Sequence, residues 1–155
     1  MEWVSLRPAT PADADEIGTL YLRSRRELVA CAPMPWSEAE VREWVRGVLI
    51  PAGGTWVAEA EGAIVGMMSL DSDEGGGWIE QLYLLPEWVG RGVGTRLLAL
   101  ARARLRPPIR LHTFQCNQAA RRFYQARGFV VLDERDGRDN AERCPDLLLA
   151  WQPAP

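Results

Sequence analysis

The stretch WIEQLYLLPEWVGRGVGTR, residues 78–96, constrains this chain more than any other. It opens with an apolar run, turns at Pro86, and passes through Gly90, Gly92 and Gly94 into a helical repeat of Leu97, Leu98, Ala101 and Leu105. A glycine loop that closes a strand and opens a helix leaves successive backbone N–H groups unpaired at the positive end of the helix dipole. Such a loop seats a phosphate. Two common phosphate binders are excluded by what is missing. A nucleoside-triphosphate loop needs lysine and then serine or threonine after its last glycine, whereas Thr95 and Arg96 follow Gly94 and the chain contains no lysine. A dinucleotide turn needs a small residue where Leu97 stands and an acidic residue about twenty positions on, near Cys116.

Composition narrows the rest. With 155 residues and 47% apolar content, the chain is expected to form one domain, residues 1–155, with a substantial core. A formal net charge of -3 and the lack of a basic stripe argue against a nucleic-acid partner. The start MEWVSLRPAT lacks the pattern of a signal peptide and no apolar run reaches membrane-spanning length, so a soluble, cytoplasmic protein without a membrane partner is expected. Cys31, Cys116 and Cys144 are widely spaced, which indicates neither a disulfide framework nor a metal site. All 18 basic residues are arginine, which removes any chemistry through an internal lysine and points to a GC-rich genome.

Taken in order, residues 2–7 alternate as a first strand. Thr10 and Pro11 start a helix whose Ala14, Ile17, Leu20, Tyr21, Ser24 and Leu28 form a buried face, with Arg23, Arg25, Arg26 and Glu27 mostly outside it. Ser37 and Glu40 make a capping box for a second helix, with Gly47 as its stop. A hairpin over 55–70 follows, then the strand 78–85, apolar on both faces and therefore central. The glycine-loop helix runs to about Arg106, before Pro107 and Pro108. The strand 109–114 comes next and, through a right-handed crossover, lies parallel to 78–85. Asn117 caps a fourth helix that stops at Gly128, and 129–132 with 147–151 close the sheet.

Two motifs now stand together. The loop Val89-Gly90-Arg91-Gly92-Val93-Gly94 resembles the acyl-CoA-binding loop Gln/Arg-x-x-Gly-x-Gly/Ala of the GCN5-related N-acetyltransferases (GNAT), with Val89 in place of the usual Gln or Arg. Downstream, Asn117-x-x-Ala120-x-x-Phe123-Tyr124-x-x-x-Gly128-Phe129 resembles the family's second cofactor motif. The resemblance spans essentially the whole chain. It implies an α/β (α+β) GNAT fold: a mixed sheet of six to seven strands and four helices in the order βααβββαβαββ, with parallel strands 4 and 5 splayed. It also implies acetyl-CoA as co-substrate, no metal, and an amine of a small molecule or peptide as acceptor. Homodimers are common in this family, so a second copy of the chain is a further candidate partner. A non-catalytic acyl-CoA-binding module is the alternative.

Acetyl transfer from a thioester to an amine requires a held pyrophosphate, a polarised carbonyl, a deprotonated amine and a protonated leaving thiolate. The backbone of residues 91–95, with Val89, Gly90, Arg91, Gly92, Val93, Gly94 and Thr95, is expected to hold the pyrophosphate, and Arg91 or Arg96 to add charge. By resemblance, the backbone at Leu82 and Leu84 receives the pantetheine and the thioester carbonyl, and Asn117 and Tyr124 lie beside the pantetheine arm. Tyr124 is the candidate general acid, or a tyrosine that packs beside Phe123. Glu80, read as sharing a face with Trp78, Leu82 and Leu84, is the candidate general base if desolvation raises its pKa, or a carboxylate at the sheet's rim. His112, the one histidine, is expected to be packed, with a relay to substrate as the alternative. Cys116 is expected to be a small buried thiol. For the acceptor, the segment 30–36, the second helix and the acidic excursion 133–146 are candidate walls, although a solvated loop also accounts for the excursion.

Overall fold

The computed structural model describes residues 3–155; Glu2, expected to open the first strand, lies outside them. The elements are β1 (Ser5–Pro8), α1 (Ala14–Leu28), α2 (Glu38–Trp44), β2 (Thr55–Ala60), β3 (Ala63–Asp73), β4 (Gly76–Leu84), α3 (Val93–Arg104), β5 (Ile109–Phe114), α4 (Gln118–Gln125), β6 (Val130–Arg135) and β7 (Asp146–Trp151). They form one seven-stranded sheet in the order β1-β2-β3-β4-β5-β7-β6. Every pairing is antiparallel except β4 with β5, which is parallel. The mixed sheet, the four helices and the element order match the sequence expectation.

The helices cover opposite faces of the sheet. Leu97, Leu98 and Ala101 of α3 pack with Ile79, Ile109, Leu111, Leu147 and Leu149. Ile17, Leu20 and Tyr21 of α1 and Val41 of α2 pack with Val57 and Met67 on the other face. Burying a leucine or isoleucine side chain of this kind stabilises by roughly 1.5–3 kcal/mol. At the head of α1, the Asp13 carboxylate accepts bonds from Arg7 Nη1 and Nη2 (2.8 and 2.9 Å) and from the backbone N–H of Thr10 (2.7 Å).

Four local expectations need correction. The capping box of α2 forms, with Ser37 N–H donating to Glu40 Oε1 (2.9 Å) and Glu40 N–H to Ser37 Oγ (3.1 Å). The helix nonetheless continues past Gly47 as a π-helical turn over Val45–Leu49, because Val45 and Leu49 are buried and packing outweighs glycine's modest helix penalty. Arg25 is not outside the helix face but 3% exposed; polar and aromatic partners, described below, surround its guanidinium, while its Nε has no hydrogen-bond partner among the described residues. The helix α3 ends at Arg104, and the chain passes Leu105 in an extended conformation before Pro107 and Pro108.

The fourth correction concerns the cysteines. Cys31 and Cys116 form a disulfide across 85 residues of sequence, with Cα atoms 6.2 Å apart. Cys116 is therefore an exposed half-cystine, and the buried free thiol is Cys144. The spacing carried no hint of it, since the fold alone brings the end of α1 beside the β5–α4 connection.

Candidate active site

The site is built around an incomplete ladder. Pairing between β4 and β5 is confined to Gly77 with Ile109 and Trp78 with Arg110, after which the strands diverge. Strand β5 turns instead to β7, with which it pairs along its whole length from Ile109 to Phe114. Two residues beyond the last rung stand Glu80 on β4 and His112 on β5, and both line the gap, a narrow cavity of about 90 Å³ that Asn117 and Tyr124 close from the α4 side.

A bulge in β4 decides which way Glu80 faces. Leu70 pairs with Ile79 and Ser69 with Gln81, so Glu80 is the extra residue on its strand. A bulge interrupts the two-residue alternation. Ile79, Leu82 and Leu84 pack toward α3, while Glu80, Gln81 and Tyr83 line a cavity on the α1–α2 side. Glu80 thus does not share a face with Leu82 and Leu84, and it is exposed rather than largely desolvated. Its pKa is still raised, first by partial desolvation and then by repulsion from Asp71 and Asp73.

On the α3 side, Gly90 and Gly92 take positive φ of 80° and 87°, conformations open to glycine at little cost. A Cβ on Gly94 would meet Phe123 Cζ at 3.2 Å, so the third glycine is there for close packing. Helix α3 starts at Val93, and its first turn closes with Arg96 N–H to Gly92 O (3.1 Å). The N–H groups of Val93, Gly94 and Thr95 consequently lack intrahelical acceptors. Arg91 lies over the Trp88 ring at 4.3 Å, whereas Arg96 is turned away, donating to the Val4 carbonyl. The cation beside the loop is one the sequence reading missed. Arg127 stacks on Phe123 at 4.0 Å and donates to Thr95 Oγ1 at 2.9 Å. A cavity of about 210 Å³ continues from this loop, lined by Leu82, Leu84, Val89, Gly94, Asn117 and Phe123 among others.

Tyr124 lines this cavity and the gap alike. It is 7% exposed and set edge-on to Phe123 and Phe129 at 5.2 and 5.4 Å. Burial pushes its phenol well above the ordinary tyrosine range, so it stays protonated at neutral pH. Asn117 caps α4, its Oδ1 accepting from Ala120 N–H at 3.2 Å.

His112 is not packed in the core. It is exposed, stacks on Trp78 at 5.4 Å, and lines both the gap and the α1–α2 cavity. Partial burial lowers its pKa, helped by Arg135 and opposed by Asp146, which leaves a neutral ring at pH 7.

The α1–α2 cavity measures about 440 Å³. Its walls carry Tyr21, Trp36, Trp44, Tyr83 and Phe114 together with the carboxylates Glu40, Glu80, Glu142 and Asp146, and no arginine. Tyr21 touches Trp44 at 5.5 Å and Tyr83 at 4.9 Å between ring centroids. The excursion before β7 is therefore more than a solvated loop, since Glu142 and Asp146 form one wall. Among the described residues no cluster of side chains suits a metal ion, and no helix is long and apolar enough to cross a membrane.

A sheet split between two parallel strands, with a glycine loop and helix N-terminus at one mouth and carboxylates at the other, has the architecture of an N-acetyltransferase. The model of the acetyltransferase (GNAT) family matches residues 21–129, most of the chain, and the protein belongs to that family. It is 33% identical over 107 residues to the peptidyl-lysine N-acetyltransferase YiaC of Escherichia coli, covering 69% of each chain. The apo form of YjaB from Escherichia coli superposes with a TM-score of 0.78 at 25% identity, over 98% of this chain and 99% of that one. The PaiA N-acetyltransferase of Thermoplasma acidophilum, solved in complex with coenzyme A, has the same fold, with a TM-score of 0.75 at 18% identity over 97% and 99% of the two chains.

Proposed function

We propose that this N-acetyltransferase is a one-domain enzyme that uses acetyl-CoA and passes the acetyl group directly to a primary amine of a small molecule or peptide within a ternary complex. One observation carries this reading: the apolar cavity leading from the glycine loop and the carboxylate-lined cavity beneath α1 and α2 meet at the gap between β4 and β5, where Glu80 and Tyr124 both stand.

The residues present suit coenzyme A. The unpaired N–H groups of Val93, Gly94 and Thr95 and the guanidinium of Arg127 can hold the pyrophosphate. Leu82 and Leu84 offer an apolar wall and, beyond the last rung with β5, backbone groups for the pantetheine arm. With its raised pKa, Glu80 accepts the proton of the acceptor ammonium, directly or through water, and the neutral His112 can relay it. Tyr124, protonated and beside the gap, donates to the departing sulfur. The carboxylates and aromatic rings of the larger cavity favour a cationic acceptor, and similarity to a peptidyl-lysine N-acetyltransferase supports a lysine side chain among the acceptors.

The test is to measure thermal stabilisation by acetyl-CoA, then release of free thiol with a panel of amines and lysine peptides. Saturable stabilisation and amine-dependent thiol release are expected. Stabilisation with no turnover on any amine would make the chain a coenzyme-binding module instead, and no response to coenzyme A would overturn both.

A further inference from the structure

Two of the four carboxylates lining the acceptor cavity are already held by hydrogen bonds, and a third faces the gap. Glu40 Oε1 accepts the Ser37 N–H at the head of α2 (2.9 Å). Asp146 is held by Arg135 through two bonds (2.8 and 2.7 Å) and by Asn140 Nδ2 (3.3 Å). Glu80 faces the gap between the diverging strands. Glu142 differs from all three. Among the described residues its one charged partner is Arg25, whose Nη1 lies 3.7 Å from Oε2, an ion pair too long for a hydrogen bond. No hydrogen bond to its carboxylate is found among the described residues, so its oxygens are open to the cavity.

Arg25 is fixed far more tightly than Glu142. Its side chain is 2% exposed. It donates to Tyr21 Oη (3.3 Å) and to the Pro33 carbonyl (2.9 Å), and its guanidinium lies 5.5 Å from the centre of the Phe114 ring. Those partners belong to α1, the α1–α2 segment and β5, and Glu142 adds the segment before β7. One guanidinium thus joins four walls of the acceptor cavity without lining it. The segment carrying Glu142 leads into β7, two strands from β4 in the sheet, a separation of roughly 10 Å. Glu142 and Glu80 therefore enter the cavity from different walls, an arrangement suited to two cationic groups of one acceptor.

We infer that Glu142 is the specificity-determining residue of the acceptor site, binding a second cationic group of the acceptor distinct from the amine that reacts, and that Arg25 is the positioning residue that holds it there. The inference rests on the proposed function in one respect, that the reacting amine is delivered to Glu80. Tyr21, Trp44 and Tyr83 supply aromatic surface for the chain joining the two nitrogens.

The test uses two ligands of equal carbon number, hexamethylenediamine and hexylamine, titrated calorimetrically into the protein saturated with coenzyme A. The diamine is expected to bind roughly tenfold more tightly. Glu142→Gln should abolish that preference and leave coenzyme A affinity unchanged. Arg25→Met should weaken the preference and Arg25→Lys restore part of it, which a role in stability alone would not do. Equal binding of the two amines by the unsubstituted protein, or a preference that survives in Glu142→Gln, would overturn the inference. Thiol release followed in separate samples, with acetyl-CoA in place of coenzyme A, tests the other reading separately: its absence with both amines counts against transfer at Glu80, while the binding ratio still decides Glu142.

Discussion

On the α3 side of the gap, the walls are mostly leucine, valine, alanine and aromatic side chains, and the polar work falls mainly to backbone N–H groups at the start of α3, with Arg127 beside them. On the α1–α2 side, the walls are rings and carboxylates drawn from α1, α2, β4, β5 and the approach to β7, and the polar work falls to side chains. The first half is shaped by what the backbone can do, so a few glycines and a helix start specify it. The second is shaped by charges whose partners come from other elements, Arg25 of α1 with Glu142 before β7 and Arg135 of β6 with Asp146 of β7. A cofactor shared by a whole family suits the first kind of construction, and an acceptor particular to one enzyme suits the second.

The largest effect that would sharpen this contrast is expected at Glu80. Glu80→Gln should lower kcat by roughly 10²–10⁴-fold, the range for a general base, with little change in acetyl-CoA affinity. The pH profile adds a check with a definite sign. Activity should fall on the acid side as Glu80 protonates, at a pH above the ordinary glutamate value of 4.5. Asp71→Asn should move that limb to lower pH, since it removes one of the repulsions that raise Glu80. A limb unmoved by Asp71→Asn and retained in Glu80→Gln would assign the base elsewhere.

The Cys31–Cys116 bridge joins the two halves, tying the end of α1 to the turn before α4. Replacing both with serine should cost about 2–4 kcal/mol of unfolding free energy, the usual worth of a bridge closing a long loop, read by urea melts. Gly92→Ala tests the backbone half alone. A side chain at φ 87° is strained by about 1–2 kcal/mol, so acetyl-CoA affinity should fall about tenfold while acceptor affinity stays put. If both affinities fell together, the two halves would not be separable in the way described.

The smallest effect is a control remote from the gap. The Arg7 guanidinium, assisted by Thr10 N–H, holds the Asp13 carboxyl down to about 2 from 3.8. A carboxylate depressed in the folded state adds stability that is present above the unfolded value and lost as pH falls through the folded one. Arg7 is about a third exposed, and solvent screening trims the gain. Asp13→Asn should therefore cost about 1–2 kcal/mol at pH 7 and little near pH 2, with both ligand affinities unchanged.

The contrast also explains what the sequence made legible. The glycine loop, the capping box, the crossover and the order of elements are local patterns, and each could be read from residues close together in the chain. The bulge at Glu80 could not, because a strand with one extra residue looks like any other strand until its partner is known. Reading strict alternation put Glu80 on the face of Leu82 and Leu84, whereas the bulge sends it the other way. Arg25 misled for a related reason: arginine on a helix usually faces water, and its partners at Pro33, Phe114 and Glu142 come from separate parts of the chain. Arg127 carried a faint signal, since it fills the open position just before Gly128 in the second cofactor motif, but its reach to Thr95 depends on how α4 sits against α3.

The bridge between Cys31 and Cys116 bears on how the enzyme should be assayed. Acetyl transfer liberates a thiol, so a colour reagent that counts sulfhydryl groups is the natural readout. Dithiothreitol or mercaptoethanol in the buffer would consume that reagent and, by exchange, open the bridge. Accumulating coenzyme A is itself a thiol and acts in the same direction. Early time points in reductant-free buffer are accordingly the ones that report on the oxidised protein.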